Sequence, residues 1–287
     1  MENLKLAIQK KGRLTEKSLQ LLKNCGLEIE SYSERLMITV RNFPLDILFL
    51  RDDDIPEYVQ DGVADIGIIG ENVVVEKSAN VSIIKNLGFS KCELLIGIPE
   101  NKDLNDLAEL EGSTIATSYP KILSEFLSEN KIKAKIVEIS GSVEITTSLG
   151  VADYICDIVS TGNTLRMNHL KKSFSVFKSE AVLIASERID ADQNKTSILA
   201  DLLKRISSAL NARYSKYIMM NVKKDGLAKV LQIIPSLKSP TVLSLASEDL
   251  VAVHAVIPSD TFWKISDDLK EAGASGILLL PIENMIL

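Results

Sequence analysis

Short runs of hydrophobic residues alternate with amphipathic segments along the first part of the chain. A short apolar run suits a buried strand, and apolar residues spaced three or four apart share one face of a helix. Strands alternating with short helices are typical of a mostly parallel sheet covered by helices. The pattern predicts strands over residues 4–8, 45–50 and 64–69, a helix over 13–24, and a short helix capped by Asp53 or Asp54 with Pro56 in its first turn.

The same alternation resumes near residue 113. It predicts strands over residues 113–117, 135–139 and 154–159, and helices over 120–130, 142–149 and from near Gly162.

Two further β-rich segments, residues 93–98 and 181–185, flank this second block. If both cross between lobes, residues 100–178 form a second lobe inserted into a first lobe made of residues 1–99 and 179–210. A cleft between two α/β lobes is a favoured place for a ligand.

The last part of the chain has a different order of elements, after a strong helix over residues 192–210. The β-α-β-β-α-β order is the ferredoxin-like motif, and it predicts a separate domain over residues 211–287. One exposed sheet face would favour packing against a second copy. The predicted elements are strands over 214–222, 241–245, 250–257 and 276–280, a helix over 227–237, and a helix that Ser259 caps and Gly273 stops.

Composition excludes several classes of protein. The chain has 287 residues with 33 basic and 39 acidic side chains, a net charge of −6, and 46% hydrophobic residues. This balance argues against disorder and against a nucleic-acid partner, which usually meets a basic surface. Three widely spaced cysteines indicate neither a disulfide framework nor a zinc cluster. The start of the chain shows no signal-peptide pattern, and no apolar run approaches the ~18 residues of a membrane helix, so we expect a cytoplasmic protein with no membrane contact.

The segment from residue 152 to residue 164 is the most informative part of the chain. A predicted buried strand runs into a loop of small residues and then a helix, which brings backbone N–H groups to one point where an anion binds well. Ser160, Thr161 and Thr164 add hydroxyl donors, and Gly162 allows close approach. Asp157 is a carboxylate among apolar neighbours, where it would accept hydrogen bonds from ribose hydroxyls. The alternative is a helix cap at Ser160 or Thr161 and an aspartate bound to nearby amides.

Basic residues follow two predicted strands of the first lobe. Lys11 and Arg13 open a helix and would bind a triphosphate or pyrophosphate; the alternative is a pair of solvated side chains at a turn. Arg51 follows a buried strand, and this position favours a role in the cleft. The alternative is an ion pair with the aspartates that follow it. Asp65 is flanked by apolar residues, and Gly70 permits close approach of a ligand.

These motifs resemble those of ATP phosphoribosyltransferase, the first enzyme of histidine biosynthesis. The resemblance is carried by residues 139–144 and 152–165, and also by 11–14, by Arg51 with residues 54–56, by 62–70 and by 115–120. It covers essentially the whole chain, and the C-terminal unit looks like the regulatory domain of the long form. One departure is that the family usually has Gly-x-Asp where this chain has Gly70-Glu71-Asn72, so the departure argues against a direct role for residue 72.

The resemblance implies a fold, a reaction and a set of site residues. The fold would be α/β, with a two-lobed catalytic core like that of periplasmic binding proteins and a C-terminal ferredoxin-like regulatory domain. The reaction would be a Mg²⁺-dependent transfer of phosphoribosyl from phosphoribosyl pyrophosphate (PRPP) to N1 of ATP, with release of pyrophosphate. Residues Ser160, Thr161, Gly162, Asn163 and Thr164 would hold the 5-phosphate; Glu144, Asp153 and Asp157 would lie near the ribose, with both aspartates near a magnesium ion held mainly through PRPP; and Lys11, Arg13, Arg51, Asp65 and Gly70 would contact ATP or pyrophosphate.

The resemblance also implies regulation and assembly. Histidine, the end product, would bind between subunits at Asn221, Ser239, Thr241 and Gly276, and dimers would assemble into hexamers. Asn221 replaces what is often aspartate, and a neutral amide would hold the ligand's ammonium group less strongly. The alternative function is a two-lobed solute-binding protein or sensor without catalysis.

Overall fold

The computed structural model describes residues 2–30, 35–159 and 162–287. Its strands are β1 (Leu4–Gln9), β2 (Met37–Thr39), β3 (Leu45–Leu50), β4 (Ile66–Gly70), β5 (Ser82–Asn86), β6 (Cys92–Pro99), β7 (Thr114–Thr117), β8 (Lys135–Glu138), β9 (Tyr154–Val159), β10 (Leu170–Ser179), β11 (Ala181–Ala185), β12 (Ser215–Lys223), β13 (Thr241–Ser244), β14 (Leu250–Pro258) and β15 (Ala274–Pro281). Its helices are α1 (Arg13–Asn24), α2 (Ile55–Gln60), α3 (Glu71–Lys77), α4 (Pro120–Glu129), α5 (Asn163–Met167), α6 (Gln193–Arg213), α7 (Leu227–Ile233) and α8 (Phe262–Glu271).

The first lobe is built on a six-stranded sheet with the order β2-β3-β1-β4-β11-β5. The central strand β1 pairs in parallel with β3 and β4, while β11 returns antiparallel to β4. Leu6, Ile8, Ile47 and Ile68 are fully buried in this sheet. The three parallel strands therefore end at one common edge, where the loops that follow them meet.

The second lobe is built on a five-stranded sheet with the order β10-β6-β9-β7-β8. Strands β7, β8 and β9 are parallel, and β6 runs antiparallel to β9. Helix α4 covers this sheet with Ile122, Leu123 and Leu127, which are buried at helical spacing. The ends of β7 and β9 again lie at one edge.

The chain crosses between the lobes at places that differ from the sequence analysis. Cys92–Pro99, assigned to the first lobe by the boundary at residue 99, pairs instead with β9 and β10 in the second sheet. Its apolar residues show that it is buried, but they carry no information about which sheet it joins. The long edge strand Leu170–Ser179 was not predicted, because half-exposed polar and apolar residues alternate irregularly along it.

Several predicted elements are shorter than expected. Residues 142–149 form only a 3-10 turn at Val143–Ile145, and the helix predicted over 227–237 ends at Ile233. The last helix begins after Thr261 rather than Ser259. Asp54 occupies the N-cap position of α2, but its side chain accepts no capping hydrogen bond, and Asp52–Asp54 form a 3-10 turn.

The C-terminal domain has the predicted β-α-β-β-α-β order, and its antiparallel sheet has the order β13-β14-β12-β15. Its core lies between one sheet face and the helices α7 and α8, with Met220, Val230, Val253 and Leu269 fully buried. The opposite sheet face is open and carries large apolar side chains. These are Tyr217, Leu243, Leu278 and Leu280, which are 36%, 50%, 52% and 41% exposed.

The chain forms two compact units. One consists of Met1–Leu19 and Glu28–Ile198, and the other of Gln20–Leu27 and Leu199–Leu287. The first contains both lobes, and the second contains most of α6 and the C-terminal domain. None of the helices that the structure describes has the length and apolar character needed to cross a membrane.

Candidate active site

The common edge of the first sheet gathers the basic residues singled out in the sequence. Lys11 and Arg13 follow β1, and Arg51 follows β3, where the Lys10 N–H still donates to the Leu50 carbonyl at 2.7 Å. All three side chains are exposed, and the structure shows no ion pair for any of them within its described residues. The alternative pairing of Arg51 with the aspartates after it is therefore not seen. Gly70, at the end of β4, lies at the same edge.

The corresponding edge of the second sheet carries an acidic group. Asp157 lies near the end of β9, and its Oδ1 accepts a hydrogen bond from the Ile158 N–H at 2.8 Å. Burial raises the pKa of the Asp157 carboxyl, the hydrogen bond from Ile158 opposes this rise, and the charge of Glu144 adds to it. The charges of Asp157 and Glu144 therefore interact, and two negative charges of this kind would suit a positively charged sugar in a transition state.

Tyr119 lies where the two edges face each other. Burial raises the pKa of its phenol, and so do the charges of Asp157 in the second lobe and of Asp52 and Asp53 in the first. Acidic residues of both lobes therefore lie close enough to Tyr119 for their charges to act on its phenol. The sequence analysis quoted Tyr119 only as part of a motif, and its role between the lobes depends on packing that the sequence does not reveal.

The predicted phosphate loop is described only in part, because Ser160 and Thr161 lie outside the described residues. Gly162 is buried and has φ of +80°, a left-handed conformation that favours glycine. It precedes α5, whose first amides have no acceptor within the helix. Asn163 accepts a hydrogen bond from the Arg166 guanidinium. The Thr164 side chain is exposed.

Two predicted site residues lie at the opposite edges of their sheets, and we correct their assignment. Asp153 precedes β9 and accepts a hydrogen bond from the Thr114 N–H at 2.9 Å. At about 3.3 Å per residue along a strand, it is roughly 13 Å from Asp157, so the two carboxylates cannot hold one magnesium ion together. Asp65 precedes β4 and accepts from the Lys5 N–H at 2.8 Å and from the Lys195 ammonium at 3.0 Å.

A cavity of about 480 Å³ lies at the junction of the lobes, beside the end of β9. Val159 at the end of β9 and Glu71 at the start of α3 line it, together with Lys172 on β10. Lys172 also runs past the loop, since a Cβ at Gly162 would lie 2.9 Å from its Cε. Sequence reasoning missed Lys172 because its strand was not predicted.

Asn72, which differs from the family pattern, has a structural role. Asn72 is buried. Its Oδ1 accepts a hydrogen bond from the Ser179 hydroxyl at 2.8 Å, and its backbone N–H donates to Ser179 Oγ at 3.1 Å. A Cβ at Gly70 would lie 2.5 Å from Asn72 Oδ1. Gly70 is therefore needed for the packing of Asn72, whereas its predicted approach to a ligand stays a prediction.

The residues expected to bind histidine lie on separate strands of the C-terminal sheet. Asn221 on β12 and Gly276 on β15 are neighbours, because a Cβ at Gly276 would lie 3.8 Å from Asn221 Nδ2. Thr241 lies on the far edge strand β13 and pairs with His254 of β14, and Ser239 precedes it. At about 4.8 Å between strands, β13 and β15 are roughly 14 Å apart, so one small ligand cannot touch all four residues within one domain.

Comparisons with known proteins identify the family of the chain. A family model described as ATP phosphoribosyltransferase matches residues 51–208, and one described as HisG, C-terminal domain, matches residues 212–284. The ATP phosphoribosyltransferase of Cytophaga hutchinsonii is 52% identical over 283 residues, covering 99% of this chain and 98% of the relative. That of Azobacteroides pseudotrichonymphae is 47% identical over 284 residues, covering 99% of this chain and 100% of the relative.

A solved structure is similar as well. A chain of the ATP phosphoribosyl transferase (HisG:HisZ) complex from Thermotoga maritima superimposes with a TM-score of 0.58 at 27% identity, covering 71% of this chain and 98% of that one. With matches to both the catalytic and the C-terminal family models, the chain belongs to the ATP phosphoribosyltransferase family of pentosyltransferases, in the long form that carries both parts on one chain.

Proposed function

We propose that the cleft between the two lobes transfers the phosphoribosyl group of PRPP to N1 of ATP. The observation that carries this proposal is the opposition of two sheet edges, one with Lys11, Arg13 and Arg51 and the other with Asp157 and the loop at Gly162. Two polyanionic substrates and a positively charged transition state need this combination of cations, phosphate-binding amides and carboxylates.

Each group of residues would have its own role in the transfer. The amides at Gly162, Asn163 and Thr164, with the hydroxyls of Ser160 and Thr161, would hold the 5-phosphate. As the bond from C1 to the pyrophosphate oxygen breaks and the bond from adenine N1 to C1 forms, Asp157 and Glu144 would stabilise the positive charge on the sugar. Lys11, Arg13 and Arg51 would bind the phosphates of ATP and of the leaving pyrophosphate. No covalent enzyme intermediate is required.

Magnesium fits this site as a metal held mainly by the substrate. Mg²⁺ keeps several waters and usually binds one or two carboxylates together with substrate phosphates. Asp157 and Glu144 supply carboxylate oxygens of that kind, and within the described residues no three His, Cys, Asp or Glu side chains form a closed metal site. When bound, the metal would disperse the charge of the departing pyrophosphate.

We further propose that histidine inhibits the enzyme at a site shared between copies of the chain. The separation of Asn221 and Gly276 from Ser239 and Thr241 within one domain supports this, since a second copy would have to bring the two pairs together. The same arrangement supports a homo-oligomer, which we propose is a dimer that assembles into a hexamer. Because both substrates are soluble nucleotides and sugar phosphates, we place the enzyme in the cytoplasm.

The test is an assay that follows the absorbance of phosphoribosyl-ATP. Purified protein with ATP, PRPP and Mg²⁺ should form phosphoribosyl-ATP. A pyrophosphatase is added because it removes pyrophosphate and so prevents the reverse reaction. Omission of PRPP or Mg²⁺ should abolish the signal. Tight binding of PRPP without product, under conditions where a known enzyme of the family is active, would favour a solute-binding protein and refute the proposal.

A further inference from the structure

Helix α4 begins without a cap of its own. Its N-cap residue, Tyr119, makes no side-chain capping hydrogen bond, and Pro120 at the first position has no N–H. The next two amides, those of Lys121 and Ile122, precede the point at which hydrogen bonds within the helix can begin. Both need an acceptor from elsewhere.

The acceptor is a carboxylate of the other lobe. Glu76 of α3, in the first lobe, accepts from the Lys121 N–H with Oε1 and from the Ile122 N–H with Oε2, both at 3.0 Å. Its negative charge also faces the positive end of the α4 dipole. The Lys121 ammonium adds a second link between the lobes, since it donates to the hydroxyl of Ser78, the residue after α3.

We propose that Glu76 is a positioning residue that caps α4 across the two lobes and thereby fixes the geometry of the cleft. The residue directly before the capped turn is Tyr119, whose phenol is reached by the charges of Asp157 in its own lobe and of Asp52 in the other. Loss of the cap would free the first turn of α4, and with it Tyr119 and the contact between α3 and α4. The consequence for catalysis rests on the proposed function; the cap itself does not.

The variant that tests the cap replaces the carboxylate of Glu76 with an amide. Both carboxylate oxygens of Glu76 accept, so Glu76→Gln keeps the size of the side chain but places an NH₂ group against one of the two amides. A matched control is Glu125→Gln on α4, an exposed side chain 3.6 Å from the Lys121 ammonium that takes no part in the cap. Lys121→Met removes the contact with Ser78 but retains the backbone N–H.

The first measurement is hydrogen exchange of the amides of Lys121 and Ile122, which requires no activity. In the unaltered protein both should be protected. In Glu76→Gln they should exchange at least tenfold faster, while Glu125→Gln and Lys121→Met leave them unchanged. Unprotected amides in the unaltered protein would overturn the proposal, and this result can be obtained even if Glu76→Gln does not fold.

The second measurement is steady-state kinetics in the phosphoribosyl-ATP assay, normalised to folded protein. A loosened cleft must be realigned by substrate binding, so Glu76→Gln should raise KM for PRPP and ATP at least fivefold and change kcat less. If Glu76 serves stability alone, Glu76→Gln should lower the folded fraction and leave KM unchanged. An unchanged KM together with faster amide exchange would therefore also overturn the proposal. An inactive unaltered protein would count against the proposed function, and the exchange result would still decide the cap.

Discussion

At the scale of single residues, Asp157 is held where its charge is costly. Burial raises the pKa of this carboxyl, so the native state keeps its proton more firmly than the unfolded chain does. The stability of the fold therefore falls as pH rises from the ordinary value of 3.8 through the raised one. A carboxylate kept in such a place is expected where its negative charge serves a reaction.

Replacing Asp157 with asparagine should therefore stabilise the protein and inactivate it. The amide can still accept from the Ile158 N–H, but it carries no charge to desolvate or to oppose that of Glu144. In urea unfolding at pH 7 we expect a higher free energy of unfolding than in the unaltered protein, with the difference vanishing below pH 3.8. Formation of phosphoribosyl-ATP should fall by roughly 100-fold or more, as for other groups that stabilise charge in a transition state.

Asp153→Asn provides the comparison on the same strand. Asp153 binds the Thr114 N–H at the other end of β9, so this variant should retain kcat. Full activity of Asp157→Asn, or a loss of kcat in Asp153→Asn equal to that in Asp157→Asn, would contradict the placement of the acidic group.

Asp65, at the far edge of the first sheet, forms an ion pair with Lys195, and we expect this pair to stabilise the fold. Their side chains are 10% and 13% exposed, and the ammonium also lies 3.4 Å from Glu2. Removing one partner of a buried pair leaves the other charge uncompensated, at a cost of about 3–5 kcal/mol. Lys195→Met should lower the free energy of unfolding by an amount near the lower end of that range, because some exposure remains.

The double variant Asp65→Asn with Lys195→Met distinguishes structure from catalysis. It leaves no buried charge without a partner, since Glu2, which also loses the Lys195 ammonium, is 75% exposed. Urea unfolding should therefore show most of the lost stability restored, and the folded enzyme should retain its kcat. A double variant that is stable but inactive would return Asp65 to the active site, where the sequence analysis had placed it.

At the scale of elements, the sequence predicts most of the strands but not their partners, and it misses the strands Met37–Thr39, Ser82–Asn86 and Leu170–Ser179. The strands Leu45–Leu50 and Tyr154–Val159 are predicted with their observed bounds, because each is a short, mostly apolar run of the length that suits a strand. The sheet to which Cys92–Pro99 belongs depends on contacts distant in the sequence. The edge strand Leu170–Ser179 has one side near solvent and shows no clear pattern.

The same distinction explains which candidate residues the structure brings to the expected sheet edge and which it does not. Asp157 and Gly162 lie late in or after a predicted strand, at the edge where parallel strands converge. Asp65 and Asp153 come at the beginning of predicted strands, and this position by itself indicates the far edge of the sheet. The contacts of Glu76 and Lys172 join segments of different lobes or of an unpredicted strand, and no local pattern reveals them.

At the scale of the whole molecule, we expect a second copy of the chain to cover the open face of the C-terminal sheet. Tyr217, Leu243, Leu278 and Leu280 form an apolar surface of a kind that usually marks an interface. The Tyr217 hydroxyl and His254 Nδ1, 2.7 Å apart on this face, place a polar pair within it. A second copy covering this face would also bring another set of Asn221 and Thr241 side chains near the first.

Leu278→Glu should therefore reduce the size of the assembly. Leu278 is 52% exposed and lies on the open face, opposite Met219 of β12. If a second copy covers this face, a charge at this position would be buried without a partner. Sedimentation or light scattering at micromolar concentration should show a smaller species than the unaltered protein. Leu231→Glu, on α7 on the other side of the same domain, should retain the original size. If histidine binds between copies, Leu278→Glu should also lose inhibition while keeping activity in the first unit, whereas an unchanged mass for Leu278→Glu, or a monomeric unaltered protein, would exclude this face as the interface.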